Sequence, residues 1–159
     1  MPHPSRQQYL ESKVLTASQP QLHLMLLDGA LRFGRQAQTI WSAGHQYVEV
    51  ETLLEKMSNI VDELAHGTAS GSETVSKQLE EQYAFIYREL ATSRVNQDLA
   101  KLSSCLELLT YQRETWKLAI DRFEAETTTT APAAPAITPH MNVAAAQSTQ
   151  PVTGFSFEA

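Results

Sequence analysis

Residues able to do chemistry are few in this 159-residue chain, and their spacing argues against catalysis. The histidines His3, His23, His45, His66 and His140 stand apart; none belongs to a HExxH pair or a His/Cys cluster with metal-ligand spacing. Glu-x-x-His on two helices, the pattern of a four-helix carboxylate metal site, is absent. There is no GxSxG, Walker loop or GxGxxG. The sequence therefore offers no catalytic residue, no metal ligand set and no cofactor site. Cys105 is the only cysteine, so an internal disulfide is excluded. It falls on an apolar stripe and reads as a small buried hydrophobe rather than a reactive thiol. His23 sits next to an apolar stripe and reads as a surface or boundary residue. Asp28 is the oddest polar residue, interrupting the most apolar stretch just before Gly29. One reading pairs it with Arg32 four residues on, a contact worth about 0.2–0.5 kcal/mol. The other makes it a polar marker beside an apolar groove, fixing the register of a bound chain. What chemistry remains is non-covalent and rests on surplus apolar surface.

The surplus begins in Ser18 to Trp41, SQPQLHLMLLDGALRFGRQAQTIW. At about 100° per residue, Leu22, Met25, Leu26, Gly29, Phe33, Ala37 and Ile40 fall on one side and form the expected core stripe. Leu24, Leu27 and Leu31 fall nearly opposite. A helix apolar on two sides must be covered on both, or one side must await a partner. The last helix repeats the theme. Val95, Leu99, Leu102, Cys105, Leu106, Leu109, Trp116 and Ile120 share a face, and Leu108, Tyr111 and Leu118 form a second line beside it. The residues left over once the core is filled, Leu24, Leu27, Leu31, Leu108, Tyr111 and Leu118, define a predicted docking surface.

The elements that must position these residues are all helical. Nothing alternates with period two over a useful length, so strands are not expected. Arg6 to Val14 makes a short amphipathic turn with Tyr9, Leu10 and Val14, too short to stand alone in water; it reads either as an arm packed on the bundle or as a removable lid over a groove. Ser18 with Gln21 forms a capping box, Pro20 lies in the first turn, and Gly44 stops that helix. Gly29 is expected to allow close approach of a neighbouring helix, and Gly34 to leave a notch in the second face. Glu49 to Ala65 is a plain one-sided helix built on Val50, Leu53, Leu54, Met57, Ile60, Val61 and Leu64. Glu73 to Ala91, with Ser70 as a candidate cap, carries Val75, Leu79, Tyr83, Ile86 and Leu90 inward, while Phe85 and Tyr87 point away to either side. A break over Thr92 to Val95 precedes a helix capped by Asn96 and ending near Phe123. After Glu126 the chain turns to Thr, Ala and Gln with Pro132, Pro135, Pro139 and Pro151 and no charge before the closing GFSFEA. That composition predicts a disordered tail, with GFSFEA either a stray end or a tethered docking motif. The expected fold class is all-α: an antiparallel four-helix bundle over 18–124, with a short N-terminal helical arm over 1–17 and a tail over 125–159.

The net charge of -6, with scattered Lys and Arg, argues against nucleic-acid binding. The N-terminus has no continuous apolar segment and no stretch is long enough for membrane insertion, so a cytoplasmic protein is expected.

At this point the residues suggest a family. Tyr9, Thr16-Ala17-Ser18, Leu22, Met25-Leu26-Leu27-Asp28-Gly29-Ala30 and Arg32-Phe33 resemble the signature of the flagellar export chaperone FliS, a TASP-type helix start followed by a MLYDGA-type motif. The resemblance continues through Val61-Asp62-Glu63-Leu64, Leu79 with Tyr83, Asp98, Leu109, Arg113 and Trp116, and spans Tyr9 to Ile120. The chain departs from the pattern in three places: the proline comes one position late as Pro20, Leu27 stands where Tyr is usual, and Gly34 replaces an apolar residue. The resemblance implies a non-enzymatic cytoplasmic chaperone that binds the C-terminal segment of flagellin, prevents premature polymerisation and delivers the subunit to components of the flagellar export gate. The leftover apolar residues Leu24, Leu27, Leu31, Leu108, Tyr111 and Leu118, with Asp28 beside them, are then the expected flagellin-binding surface; in the family the N-terminal segment can occupy part of the binding surface, which agrees with Tyr9, Leu10 and Val14 as a lid. The rival reading is a self-associating helical-bundle adaptor, a stable homodimer whose seam is the second leucine stripe, whereas the chaperone reading allows at most a weak homodimer.

Overall fold

The computed structural model describes residues 5–67 and 73–130. Five helices follow one another: α1 Arg6–Thr16, α2 Gln19–Ser42, α3 Tyr47–His66, α4 Glu73–Asn96 and α5 Leu99–Thr129. They belong to one compact unit, Met1–Thr129. No described residue lies in a strand. Helices α2 to α5 pack as neighbours in a closed ring, α2 on α3, α3 on α4, α4 on α5 and α5 back on α2. With short connections this gives the expected antiparallel four-helix bundle. Helix α1 joins no closely packed pair and has no buried residue.

Local chemistry sets the helix ends. Ser5 with Gln8 and Ser18 with Gln21 each form a full capping box, satisfying two otherwise orphan donors. Gly44 has φ +75° just past α2, a left-handed conformation that glycine adopts without steric cost. The α4–α5 junction differs from expectation. The helix continues through Thr92 to Val95 and ends where Gln97 turns left-handed, with φ 50°. The Asp98 amide then donates to the Ser93 carbonyl at 2.9 Å, closing a Schellman-type stop. Asp98, not Asn96, caps α5: its carboxylate accepts from the Lys101 amide at 3.1 Å. Helix α5 runs past the expected end at Phe123 into the threonine run. The expected Ser70 cap, most of the tail and its GFSFEA end fall outside the described residues.

The core confirms α3 largely as read, with Val50, Leu53, Leu54, Met57, Val61 and Leu64 buried and Ile60 half-buried against them. It also rotates the buried face of α2 toward the second stripe, while Ala37 of the expected stripe stays fully buried and Leu26, Phe33 and Ile40 still pack against the core. Leu27 is 0% exposed and Leu31 2%, alongside Ala30, Gly34 and Ala37, whereas Leu22, Met25, Leu26, Phe33 and Ile40 are only half-buried. The cause is close approach. A Cβ on Gly34 would lie 2.5 Å from Leu106 Cδ2 and 2.7 Å from Met57 Sδ, so α3 and α5 press against α2 at that glycine. Small residues at 30, 34 and 37 admit the neighbouring side chains, and Leu27 and Leu31 fill the space beside them. Each fully buried leucine contributes roughly 1.5–3 kcal/mol. Gly29 makes an ordinary-to-tight contact by the same measure, 3.3 Å to Ile60 Cδ1. Two helix-end residues expected in the core, Val75 and Val95, are exposed.

Candidate docking site

Because α5 presents a complete buried stripe, Leu102, Cys105, Leu106 and Leu109, to the bundle, its other apolar line is left outside. Leu108 is 41% exposed, Tyr111 69% and Leu118 60%. With Thr115 they follow at spacings of three, four and three, so they align along one face of the helix. Helix α4 contributes Phe85, 47% exposed, which lines a groove of about 630 Å³ together with Leu108 and Tyr111. The floor is the buried Ile86, and Gln78, Glu81, Gln82 and Gln112 supply the polar edge. The side chains of Gln82 and Gln112 hydrogen-bond to each other between α4 and α5.

The site predicted from sequence is thus partly assembled. Leu108, Tyr111 and Leu118 are outside, as expected. Leu27 and Leu31 are not available to a partner, being sealed by the close α2–α3 and α2–α5 packing around Gly34; their assignment to the docking surface is withdrawn. Leu24 is half-buried. Asp28 is exposed and pairs not with Arg32 but with Arg113, whose Nε donates to its carboxylate at 2.5 Å, tying α2 to α5. Leu24 lies one turn before Asp28 on α2. Tyr9, Leu10 and Val14 are exposed on α1. Phe85, Gln82 and Gln112 were not among the predicted site residues. Phe85 carried a signal, an aromatic set off the α4 core stripe, but the glutamines have none that periodicity detects.

A second cluster sits at the start of α2. His23 is buried, not at the boundary. Its Nε2 shares a 2.7 Å hydrogen bond with the Tyr83 hydroxyl, and its ring stacks on Trp116 with centroids 4.3 Å apart. Trp116 Nε1 donates to the Pro20 carbonyl at 2.8 Å. One imidazole therefore links α2, α4 and α5. Burial lowers its pKa from 6.5 to about 4, so the ring is neutral near pH 7. Burial also raises Tyr83 above its ordinary value. Cys105 is buried, with its thiol pushed up to about 11 by desolvation, which keeps it protonated and unreactive.

No group of three or more His, Cys, Asp or Glu among the described residues is placed to hold a metal ion. No described helix is long and apolar enough to cross a membrane. Fold and surface together define a four-helix bundle with an apolar groove along its last helix. A family model, "Flagellar protein FliS", matches residues 1–122. The flagellar secretion chaperone FliS of Bacillus subtilis (strain 168) is 30% identical over 112 residues, which make up 70% of this chain and 83% of that protein. The chain belongs to the FliS family. The Asp28–Arg113 pair joins two positions of the sequence signature, one on each helix.

Proposed function

We propose that this protein is a flagellin-specific export chaperone. It binds the C-terminal segment of flagellin in the cytoplasm, prevents premature polymerisation and delivers the subunit to the export gate, acting without catalysis. The observation that carries the reading is the apolar line Leu108, Tyr111 and Leu118, left on the outside of a bundle whose core is already full. Family membership supports flagellin as the client. Recognition follows the helix-in-groove mode: an amphipathic segment lays its apolar face along the α4–α5 groove, and its burial offsets the cost of ordering it. The Asp28–Arg113 pair borders the same helix from the α2 side, with Leu24 one turn before Asp28. Helix α1, with Tyr9, Leu10 and Val14, is the arm that competes for this surface or clasps the bound segment.

Calorimetry with the C-terminal segment of flagellin tests the reading. The full chain should bind it with micromolar or tighter affinity. Leu108→Asp combined with Leu118→Asp should weaken binding at least about a hundredfold, from the loss of roughly 3 kcal/mol of apolar contact, with helix content unchanged. Unaltered affinity would move the site elsewhere. A stable dimer in sedimentation that flagellin segment does not disperse, and that the same substitutions dissociate, would replace the chaperone reading with the self-associating one.

A further inference from the structure

The two hollows that flank the α5 ridge have carboxylates as their charged lining residues. On its α4 side the groove of about 630 Å³ has Glu81 as its charged lining residue. On its α2 side a second hollow of about 610 Å³ is lined by Glu107 and Glu114. Tyr111 is the common wall, and neither hollow is lined by Lys or Arg. Of the neighbouring cations, Arg113 pairs with Asp28 and Lys101 with Glu89, while Arg35 donates to the Thr110 hydroxyl at the edge of the second hollow. Glu81, Glu107 and Glu114 are exposed and take part in none of the ion pairs found among the described residues. The ridge thus offers apolar anchors between hollows whose charged lining residues are all carboxylates, on a chain of net charge -6.

We propose that this surface selects a segment whose apolar residues are bordered by lysine or arginine. The inference rests on the ridge being the docking site, as read above, and adds the chemistry of its occupant. The apolar anchors supply most of the affinity. The carboxylates supply encounter rate and choice of partner, because rim charges act mainly on association and its salt dependence. A segment with acidic borders would bring like charges together over a desolvating surface and be rejected.

Two synthetic amphipathic helical peptides test this, sharing one apolar face but carrying either lysine or glutamate along its edges. Against the full chain at low salt, the lysine peptide should bind at least about tenfold tighter, chiefly through faster association. The difference should fade at high salt. The triple variant E81K/E107K/E114K should reverse the preference, and the neutral E81Q/E107Q/E114Q should erase it, a second route if the reversed charges impair folding. Equal affinity for the two peptides, binding of neither, or a preference that survives the neutral variant would overturn the proposal. The flagellin C-terminal segment is run alongside. If it fails to bind while the lysine preference stands, the export-chaperone reading falls and the charge selectivity remains.

Discussion

His23 gives the sharpest quantitative prediction. Its imidazole is enclosed by Trp116 and Tyr83 with no carboxylate partner to stabilise a charge, and burial is the cause of its low pKa. In the unfolded chain the ring titrates near 6.5; in the folded chain, near about 4. The unfolded state therefore binds the proton more readily between these values. Stability from His23 is fully present above about pH 6.5 and is lost as the pH falls toward 4. At about 1.4 kcal/mol for each pH unit between the two values, the loss approaches ~3 kcal/mol, a large share of the ~5–15 kcal/mol of a typical domain. Urea denaturation followed by circular dichroism, at pH 7, 5.5 and 4, measures it (about three settings spanning the window). The control is His23→Gln, which keeps a polar group toward the Tyr83 hydroxyl but cannot titrate. Both proteins share every other acid-sensitive group, so the wild type should lose about 3 kcal/mol more than the variant over this range. Equal losses would mean that the imidazole is solvated in the folded protein, and the enclosed cluster as described would be wrong.

Other consequences follow from the packing. Leu27→Asp places a carboxylate at a fully buried position against α3 and α5, and should unfold the bundle by circular dichroism, while Leu118→Asp leaves the melting temperature nearly unchanged. A folded, monomeric Leu27→Asp protein would refute the observed α2 orientation. Gly34→Ala must displace the ends of Leu106 and Met57, at an expected cost of about 1–3 kcal/mol in chemical denaturation, whereas Gly44→Ala is strained by its positive φ alone. Asp28→Asn breaks a partly exposed ion pair with Arg113 and should cost no more than about 1 kcal/mol, diminishing at high salt. Cys105 should react with a thiol reagent only at the rate of global unfolding, measurable by its dependence on denaturant.

Much of this architecture is legible in the sequence where a helix has only one apolar side. Helix α3 was read residue by residue because its solvated back leaves no choice of face. The capping boxes at Ser18 and the stop at Gly44 follow from local hydrogen bonding and need no tertiary information. Helix α2 defeated periodicity for a physical reason. It has apolar residues on two sides, and counting the larger ones favours the wrong side. The deciding signal was small size: Ala30 and Gly34 beside Leu27 and Leu31, with Ala37 at the border of the two stripes, mark where neighbouring helices come closest. The exposed line of α5 was legible because a complete inward stripe stood next to it. The groove's α4 wall was not, since which helix faces Leu108 and Tyr111 depends on the arrangement of the bundle. The Asp28–Arg113 bond joins residues far apart in sequence, and an i, i+4 rule points instead to Arg32. The α4–α5 boundary was misplaced because Gln97, rather than glycine, takes the left-handed stop.

Helix α5 is the longest in the chain, and from Asp121 to Thr130 every residue is exposed. One continuous rod therefore has two very different ends: amides near Leu102 to Leu109 open only with the whole bundle, while those beyond Ile120 rely on helix propensity alone and fray on their own. A protease should nick this overhang first and trim it back to the last supported turn, with the bundle surviving the cut. The same looseness makes those final turns a sensitive reporter, because a client lying along Leu118 would slow their deuterium uptake without altering the exchange of the interior.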